Sequence, residues 1–273
     1  MRRHPGQLVA PSCPSIAGPK TDFSAGPRLA GRPPAAAAHA VHATPLLSVV
    51  IPVYNERATI LEVIRRVRLA PAPKEIILVD DGSTDGTREL LRALPGEPGL
   101  HVLCHDRNQG KGAALRTGFR LARGAFVLVQ DADMEYDPAD YPRLLQPLVS
   151  GQADVVYGSR FPLGPRRTPS WGQYVGNRLL TALSDLLTGL RLTDMETGFK
   201  VFPHAIVQAL LPTLRQDRFG IEPELTAKVA RRGYRVREVP VAYAARTVAQ
   251  GKKLRWRDGL AALWCILRYW QWD

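Results

Sequence analysis

The sequence predicts an α/β fold with a largely parallel sheet covered by helices on both faces, and three observations predict it. Strand-length runs that are apolar throughout recur along the chain, helical segments separate them, and polar clusters follow the runs at their carboxyl ends. A strand apolar at every position is buried on both faces, which is the state of strands in a helix-covered parallel sheet.

LLSVVIPV, residues 46 to 53, is the first strand, and the helix after it repeats Ile60, Val63, Ile64 and Val67 at helical spacing. EIILVDD at 75 to 81 is a second strand, TRELLRAL at 87 to 94 a short helix and HVLCH at 101 to 105 a third strand. KGAALRTGFRLA, 111 to 122, is helical, and AFVLVQD, 125 to 131, is the fourth strand. A helix over 139 to 149 and the strand DVVYGS, 154 to 159, continue the alternation. Leu179, Leu183, Leu186 and Leu187 share a further helix, expected to be buried under the sheet, and a polar turn follows at Asp194 to Gly198. Glu222 and Glu224 open another helix, where carboxylates suit the helix dipole.

A chain of 273 residues, 45% hydrophobic, is long enough for one sizeable α/β domain or for a domain with appendages, and too short for two large ones. Its formal charge of +12 favours an anionic partner without choosing among nucleic acid, a phosphorylated substrate and an acidic membrane. Cys13, Cys104 and Cys265 lack paired spacing, so neither a structural zinc site nor a disulfide framework is indicated, and a reducing compartment is expected. Residues 1–44 are rich in Pro, Gly and Ala without periodicity and read as a disordered or processed segment. Its two leading arginines precede no continuous apolar run, which argues against a secretory signal.

In open parallel sheets ligands collect at the carboxyl ends of the strands, so the polar clusters there share one crevice. The first strand ends in PVYNE with Asn55 and Glu56, the second in DDGSTDGT, the fourth in QDADMEYDP and the fifth in GSRF with Arg160. Asp131 and Asp133 lie two residues apart, close enough to share a hard divalent cation whose shell water and phosphate oxygens complete. Such a cation stabilises a departing diphosphate. Asp80 and Asp81 either accept hydrogen bonds from a base or ribose or sit in a tight turn built by Gly82, Ser83 and Gly86, and the two roles are compatible. NQGKGAALRTG, 108 to 118, lacks the spacing of a phosphate loop. Its glycines let a helix start pack near a ligand with backbone donors toward an anion, and Lys111 and Arg116 either assist or are solvated. No GxGxxG follows the first strand and no GxSxG elbow is present, which argues against a dinucleotide oxidoreductase and an esterase. A nucleotide-sugar transferase is favoured over a nucleotidyltransferase.

Taken in order, SVVIPVYNE, DDGSTDGT, NQGKGAALRTGF, DADMEYDP, GSRF, LTDMETGFKVF and REVPVAY resemble the family 2 glycosyltransferases of GT-A fold. Within that family they resemble the polyprenyl-phosphate branch, which includes dolichol-phosphate mannosyltransferases and undecaprenyl-phosphate sugar transferases. The resemblance covers nearly everything from residue 46 onward. It implies a GT-A catalytic domain over 45–250, with Pro52, Tyr54, Asn55, Glu56, Asp80, Asp81, Lys111, Asp131 and Ala132 around the nucleotide. It implies Asp131 and Asp133 as the DxD ligands of Mg2+ or Mn2+, with Glu135 a third ligand where relatives often carry Gln. Asp133, Arg160, Asp194 and Glu196 are the implied catalytic group, Arg160 on the acceptor phosphate and the last two orienting sugar hydroxyls.

The implied reaction is inverting transfer of a hexose from GDP-mannose or UDP-glucose to a polyprenyl phosphate. The alternatives are a family 2 enzyme acting on a soluble phosphate or glycan hydroxyl, and a non-catalytic subunit binding nucleotide sugar or membrane. No nucleic-acid partner is implied. Residues 251–273 read as a basic, Trp-rich amphipathic helix: Lys252, Lys253, Arg255 and Arg257 precede a stripe of Trp256, Leu260, Leu263, Leu267 and Trp270. Its apolar run is far short of the roughly 20 residues that cross a bilayer. It either docks on the catalytic domain or lies in an anionic membrane surface. The expected location is therefore cytoplasmic, peripheral at the cytoplasmic face, with lipid reached directly or through a membrane-protein partner.

Overall fold

The computed structural model describes residues 47–161, 171–246 and 256–271. The expectation for residues 1–44 lies outside the described residues, as do Lys252, Lys253 and Arg255. Seven strands, β1 (Leu47–Val53), β2 (Lys74–Asp80), β3 (Leu100–Cys104), β4 (Phe126–Val129), β5 (Val155–Ser159), β6 (Lys200–Pro203) and β7 (Val236–Pro240), form one sheet in the order β3-β2-β1-β4-β6-β5-β7. All neighbours are parallel except β6, which runs antiparallel to β4 and β5. The helices are α1 (Ile60–Leu69), α2 (Thr87–Arg92), α3 (Lys111–Leu121), α4 (Tyr141–Val149), α5 (Trp171–Thr188), α6 (His204–Leu210), α7 (Ile221–Arg231) and α8 (Trp256–Gln271). The five expected strands and the helices between them follow the sequence expectation to within a residue or two at their ends.

β1 shows why the strands are apolar throughout. Val49, Ile51 and Val53 pack with Ile60, Ile64 and Val67 of α1 on one side, and Val50 packs with Leu115 and Phe119 of α3 on the other. Both faces are closed, so an alternating polar pattern has no place in this strand.

β6 went unrecognised because it is only four residues long and follows a polar turn. Its reversed direction matters for the site. The amino end of an antiparallel strand lies beside the carboxyl ends of its neighbours, so β6 carries residues 193–199 into the crevice that β4 and β5 open.

α5 corrects the expectation of a buried helix. Only Thr181 and Ser184 are buried on it, while Leu180, Leu183 and Leu187 pack partly on the core and Trp171, Leu179 and Leu186 face solvent. α8 packs against α7 and α5 and buries Ala262, Cys265, Ile266 and Tyr269, whose hydroxyl accepts from Gln216 Nε2 at 2.8 Å. Its other face exposes Leu260, Trp264, Leu267 and Trp270, with Leu263 half-buried. Docking and an exposed apolar stripe thus coexist on one helix, and no helix among the described residues is long and apolar enough to cross a membrane.

Candidate active site

The exit of β1 is stitched to the exit of β2. Asn55 takes a left-handed backbone (φ 50°), its amide donates to Ser83 Oγ at 2.9 Å, and its Oδ1 accepts from Thr84 N at 2.8 Å. The Glu56 amide donates to Thr87 Oγ1 at 2.9 Å. Pro52 and Tyr54 are half-buried beside this seam, and a cleft opens along Asn55 to Thr59, Asp85 and Arg246.

Asp80 and Asp81 lie beneath it with their carboxylates already engaged. Asp80 accepts from Arg88 Nε at 2.6 Å and Ser83 N at 3.2 Å. Asp81 accepts from Gln109 N at 2.9 Å and Gly110 N at 2.7 Å, and meets His105 Nδ1 at 2.7 Å. Both aspartates are buried, and both shape the turn and the glycine-rich loop.

That loop does a different job from the expected one. A Cβ on Gly112 would collide with the Gln216 carbonyl and one on Gly110 with that of Asp217, so these glycines admit a second backbone. The Ala113 amide donates to Asp217 O at 3.0 Å, and Arg116 donates to Gln216 O at 2.5 Å and pairs with Asp217. Arg116 and this amide of the helix start are spent on the 216–217 segment. Lys111 alone turns to the acidic cluster.

The cluster follows β4. Thr59 Oγ1 donates to the carbonyl of buried Ala132 at 2.8 Å, tying the DxD turn to the start of α1, and Met134 takes a left-handed backbone (φ 65°) that reverses the chain. Asp131 Oδ1 accepts from Lys111 Nζ at 2.7 Å, and a Cβ on Gly198 would collide with Asp131 Oδ2, so glycine there is a steric requirement of the aspartate's position. Asp133 Oδ1 accepts from the Glu135 amide at 3.2 Å and Oδ2 from Arg246 Nη2 at 3.2 Å. Burial and then the charges of Asp131 and Glu135 push the Asp133 carboxyl up to about 7, against the pull of Arg246.

Glu135 faces the segment after β7: its Oε1 accepts from Arg246 N at 2.7 Å and its Oε2 from Tyr243 Oη at 2.8 Å. Among the described residues no three His, Cys, Asp or Glu side chains converge as a ready ligand group. Asp131 and Asp133 still fit a hard cation. They are two adjacent carboxylates in a confined place with more negative charge than burial favours, and each already holds a cationic side chain.

Behind Asp131 runs a buried chain of charge that the sequence reading missed. Lys111 also meets Glu222 Oε1 at 2.9 Å, and Glu222 Oε2 accepts from Lys200 Nζ at 2.5 Å. Lys200 is fully buried and donates to the carbonyls of Met195 (2.9 Å) and Thr197 (2.5 Å). Burial opposes the Lys111 charge, but Asp131 and Glu222 outweigh it and hold its pKa above the usual range. Burial likewise favours neutral Glu222, yet Lys111 and Lys200 outweigh it and keep its pKa low. Glu222, whose place at a helix start suits the helix dipole, is the centre of this chain.

Arg160 and Asp194 meet across the crevice. Arg160 donates Nε to Asp194 Oδ2 and Nη2 to Oδ1, both at 2.6 Å, and its amide donates to Oδ2 at 3.1 Å. The guanidinium lies 5.2 Å from the Tyr243 ring centroid and 5.6 Å from that of Phe161. Asp194 is fully buried, with Asn177 Nδ2 at 3.3 Å as a further donor, so it orients Arg160 and has no open face toward a sugar. Glu196 is half-buried with Oε1 lacking a hydrogen-bond partner, and burial followed by the Glu222 charge pushes its carboxyl up to about 7.

Arg246 has no place in the sequence expectation, and Tyr243 and Lys200 enter it only as members of REVPVAY and LTDMETGFKVF, without a role. Arg246 stands 190 positions from Glu56, with which it forms two 3.0 Å contacts. The one available signal was its place just beyond the REVPVAY motif.

Residues 48–211 match the model of Glycosyl transferase family 2. An undecaprenyl-phosphate mannosyltransferase of Micrococcus luteus is 32% identical over 244 residues, 80% of this chain and 96% of that one. A polyprenol monophosphomannose synthase of Mycolicibacterium smegmatis is 33% identical over 75% of this chain and 79% of its own. An undecaprenyl-phosphate 4-deoxy-4-formamido-L-arabinose transferase of Aeromonas hydrophila is 35% identical over 76% of this chain, which spans 62% of that longer protein. Among solved structures, glucosyl-3-phosphoglycerate synthase of Mycobacterium tuberculosis superposes with a TM-score of 0.63 at 24% identity over 84% of this chain and 82% of its own, which shows the GT-A fold. A family match over this span, joined to a carboxyl-end crevice carrying DxD, identifies the chain as a glycosyltransferase enzyme: it belongs to glycosyltransferase family 2.

Proposed function

We propose that this enzyme transfers a hexose, with inversion, from GDP-mannose or UDP-glucose to a polyprenyl phosphate at an anionic membrane surface. The observation that carries the reading is the single crevice at the strands' carboxyl ends, which holds Asp131 and Asp133 after β4 and the Arg160–Asp194 pair after β5. The activities of the polyprenyl-phosphate relatives support it.

Asp131 and Asp133 would hold Mg2+ or Mn2+, which when bound supplies positive charge against the departing diphosphate. The cleft from Asn55 to Thr59 receives the nucleotide, with Asp80 and Asp81 fixing its walls from beneath. Asp194 takes the Nε–Nη2 edge of Arg160 and fixes the plane of the guanidinium, so Nη1 is the donor left for the acceptor phosphate. A phosphate monoester is already ionised near neutral pH, so its attacking oxygen needs no dedicated general base, and positioning by cations becomes the larger requirement. Glu135 serves the site by holding the Tyr243–Arg246 segment and is the third metal ligand only when it gives up those contacts.

The apolar face of α8 and the cationic residues around it keep the enzyme peripheral to the cytoplasmic leaflet, directly or beside a membrane-protein partner. Residues 45–250 act as the catalytic domain and 251–273 as the attachment segment, which contains α8. A panel of GDP- and UDP-sugars offered with polyprenyl phosphate and Mg2+ or Mn2+ tests the proposal. One donor should yield a lipid-linked hexose, and transfer only to a soluble phosphate or a glycan would overturn it.

A further inference from the structure

Two cationic side chains occupy the acidic turn, and they are not equivalent. Lys111 bridges Asp131 and Glu222 in the buried chain, with a partner on either side. Arg246 is held differently. Its two terminal nitrogens each meet a Glu56 oxygen at 3.0 Å, and one of them also reaches Asp133 Oδ2 at 3.2 Å. Its Nε is buried with no hydrogen-bond partner among the described residues.

We propose that Arg246 is a resident counter-cation of the DxD turn, which a divalent ion must displace from Asp133 in order to bind. This rests on the reading of Asp131 and Asp133 as the metal-holding pair. Without metal, Asp133 stands beside Asp131 and Glu135 in a confined place, and the guanidinium balances that charge. A cation arriving at Asp133 meets a like charge already in contact with the same oxygen.

Glu56 makes the exchange feasible. It keeps both terminal nitrogens of Arg246 after the 3.2 Å contact is lost, so neither charge is stranded in a place where stranding is costly. Lys111 would fall back on Glu222, a carboxylate that already carries Lys200 as well. The consequence is that metal alone binds weakly. Donor diphosphate brings negative charge of its own, and metal and donor then bind together more tightly than either does separately.

Calorimetric titration of the full chain with Mn2+ alone, without nucleotide sugar, tests this. Arg246→Gln should bind Mn2+ about tenfold more tightly than wild type, as expected from removing one like charge at contact distance. Arg246→Lys keeps the charge but offers a single ammonium, which cannot pair with both Glu56 oxygens and Asp133 together. It should show a smaller gain of the same sign. The gain should vanish in Arg246→Gln combined with Asp133→Asn. Equal Mn2+ affinity in wild type and Arg246→Gln, with binding still abolished by Asp133→Asn, would overturn the counter-cation role and leave the metal site standing. A gain for Lys as large as for Gln would show that the positive charge is not what opposes Mn2+ and would also overturn it. Binding indifferent to Asp133→Asn would remove the metal site and this inference together.

Discussion

Arg160 is committed to two tasks whose consequences separate. Truncation to Ala removes the proposed phosphate contact and also strands the fully buried Asp194 carboxylate, and breaking a buried pair in this way costs about 3–5 kcal/mol of stability. Arg160→Ala is therefore expected to lower Tm and to reduce transfer to lipid phosphate far more than donor binding. Adding Asp194→Asn should restore much of the Tm without restoring transfer. Donor binding that falls as far as transfer, measured by calorimetry beside the assay, would move Arg160 to the donor side.

Glu196 gives a pH signature. Its carboxyl is pushed up from 4.5 to about 7 by burial and by Glu222, so between those values the folded state holds a proton that the unfolded state has released. That contribution to stability is complete below about 4.5 and is lost as pH rises through about 7. Glu196→Gln, a permanent mimic of the protonated form, should melt like wild type near the lower value and higher than wild type above the upper one. Parallel melting curves across that interval would contradict the assignment. The Arg160–Asp194 pairing was not legible in sequence, since the two residues are 34 positions apart and no spacing rule connects them.

The α8 helix carries two faces, and each answers a different question. Ala262, Cys265, Ile266 and Tyr269 fix it to α7 and α5, while Leu260, Trp264, Leu267 and Trp270 remain exposed, and α5 adds Trp171, Leu179 and Leu186 to the exposed apolar surface. The protein is expected to co-sediment with anionic liposomes more than with neutral ones, to resist salt release in part, and to lose most binding in Trp264→Ser combined with Trp270→Ser. These positions lie outside the docked face, so the variant should keep the wild-type Tm. A double variant that binds liposomes like wild type would remove α8 from membrane attachment while leaving the sugar-transfer chemistry untouched. The sequence reading found the stripe but set docking against exposure, because helical periodicity identifies an apolar face without saying what covers it. The same limit explains α5, whose leucines were expected to be buried. Two of them, Leu179 and Leu186, face solvent.

The architecture as a whole follows from the strands that are buried on both faces. Their apolar runs, their alternation with helices and the polar residues at their exits were enough to predict the parallel sheet and the crevice. The segments that complete the crevice were not legible in the same way. β6 enters by reversing direction, the 216–217 segment enters through contacts with Gly110 and Gly112, and Arg246 enters by crossing from the far edge strand to Glu56. Each depends on three-dimensional closure, whereas the motifs on β1, β2, β4 and β5 carry their chemistry locally. Family resemblance supplied Asp194 and Glu196 as site residues, and the geometry gives Asp194 the work of holding Arg160.

The central claim is that the carboxyl-end crevice binds a nucleotide sugar through a cation held by Asp131 and Asp133. Calorimetric titration of wild type and Asp133→Asn with GDP-mannose and UDP-glucose, with and without Mn2+, tests it most directly. An amide supplies an oxygen but not the opposing charge, so Asp133→Asn, folded as judged by Tm, should lose most of the Mn2+-dependent gain in donor affinity that the wild type shows. An undiminished gain in Asp133→Asn would contradict the account.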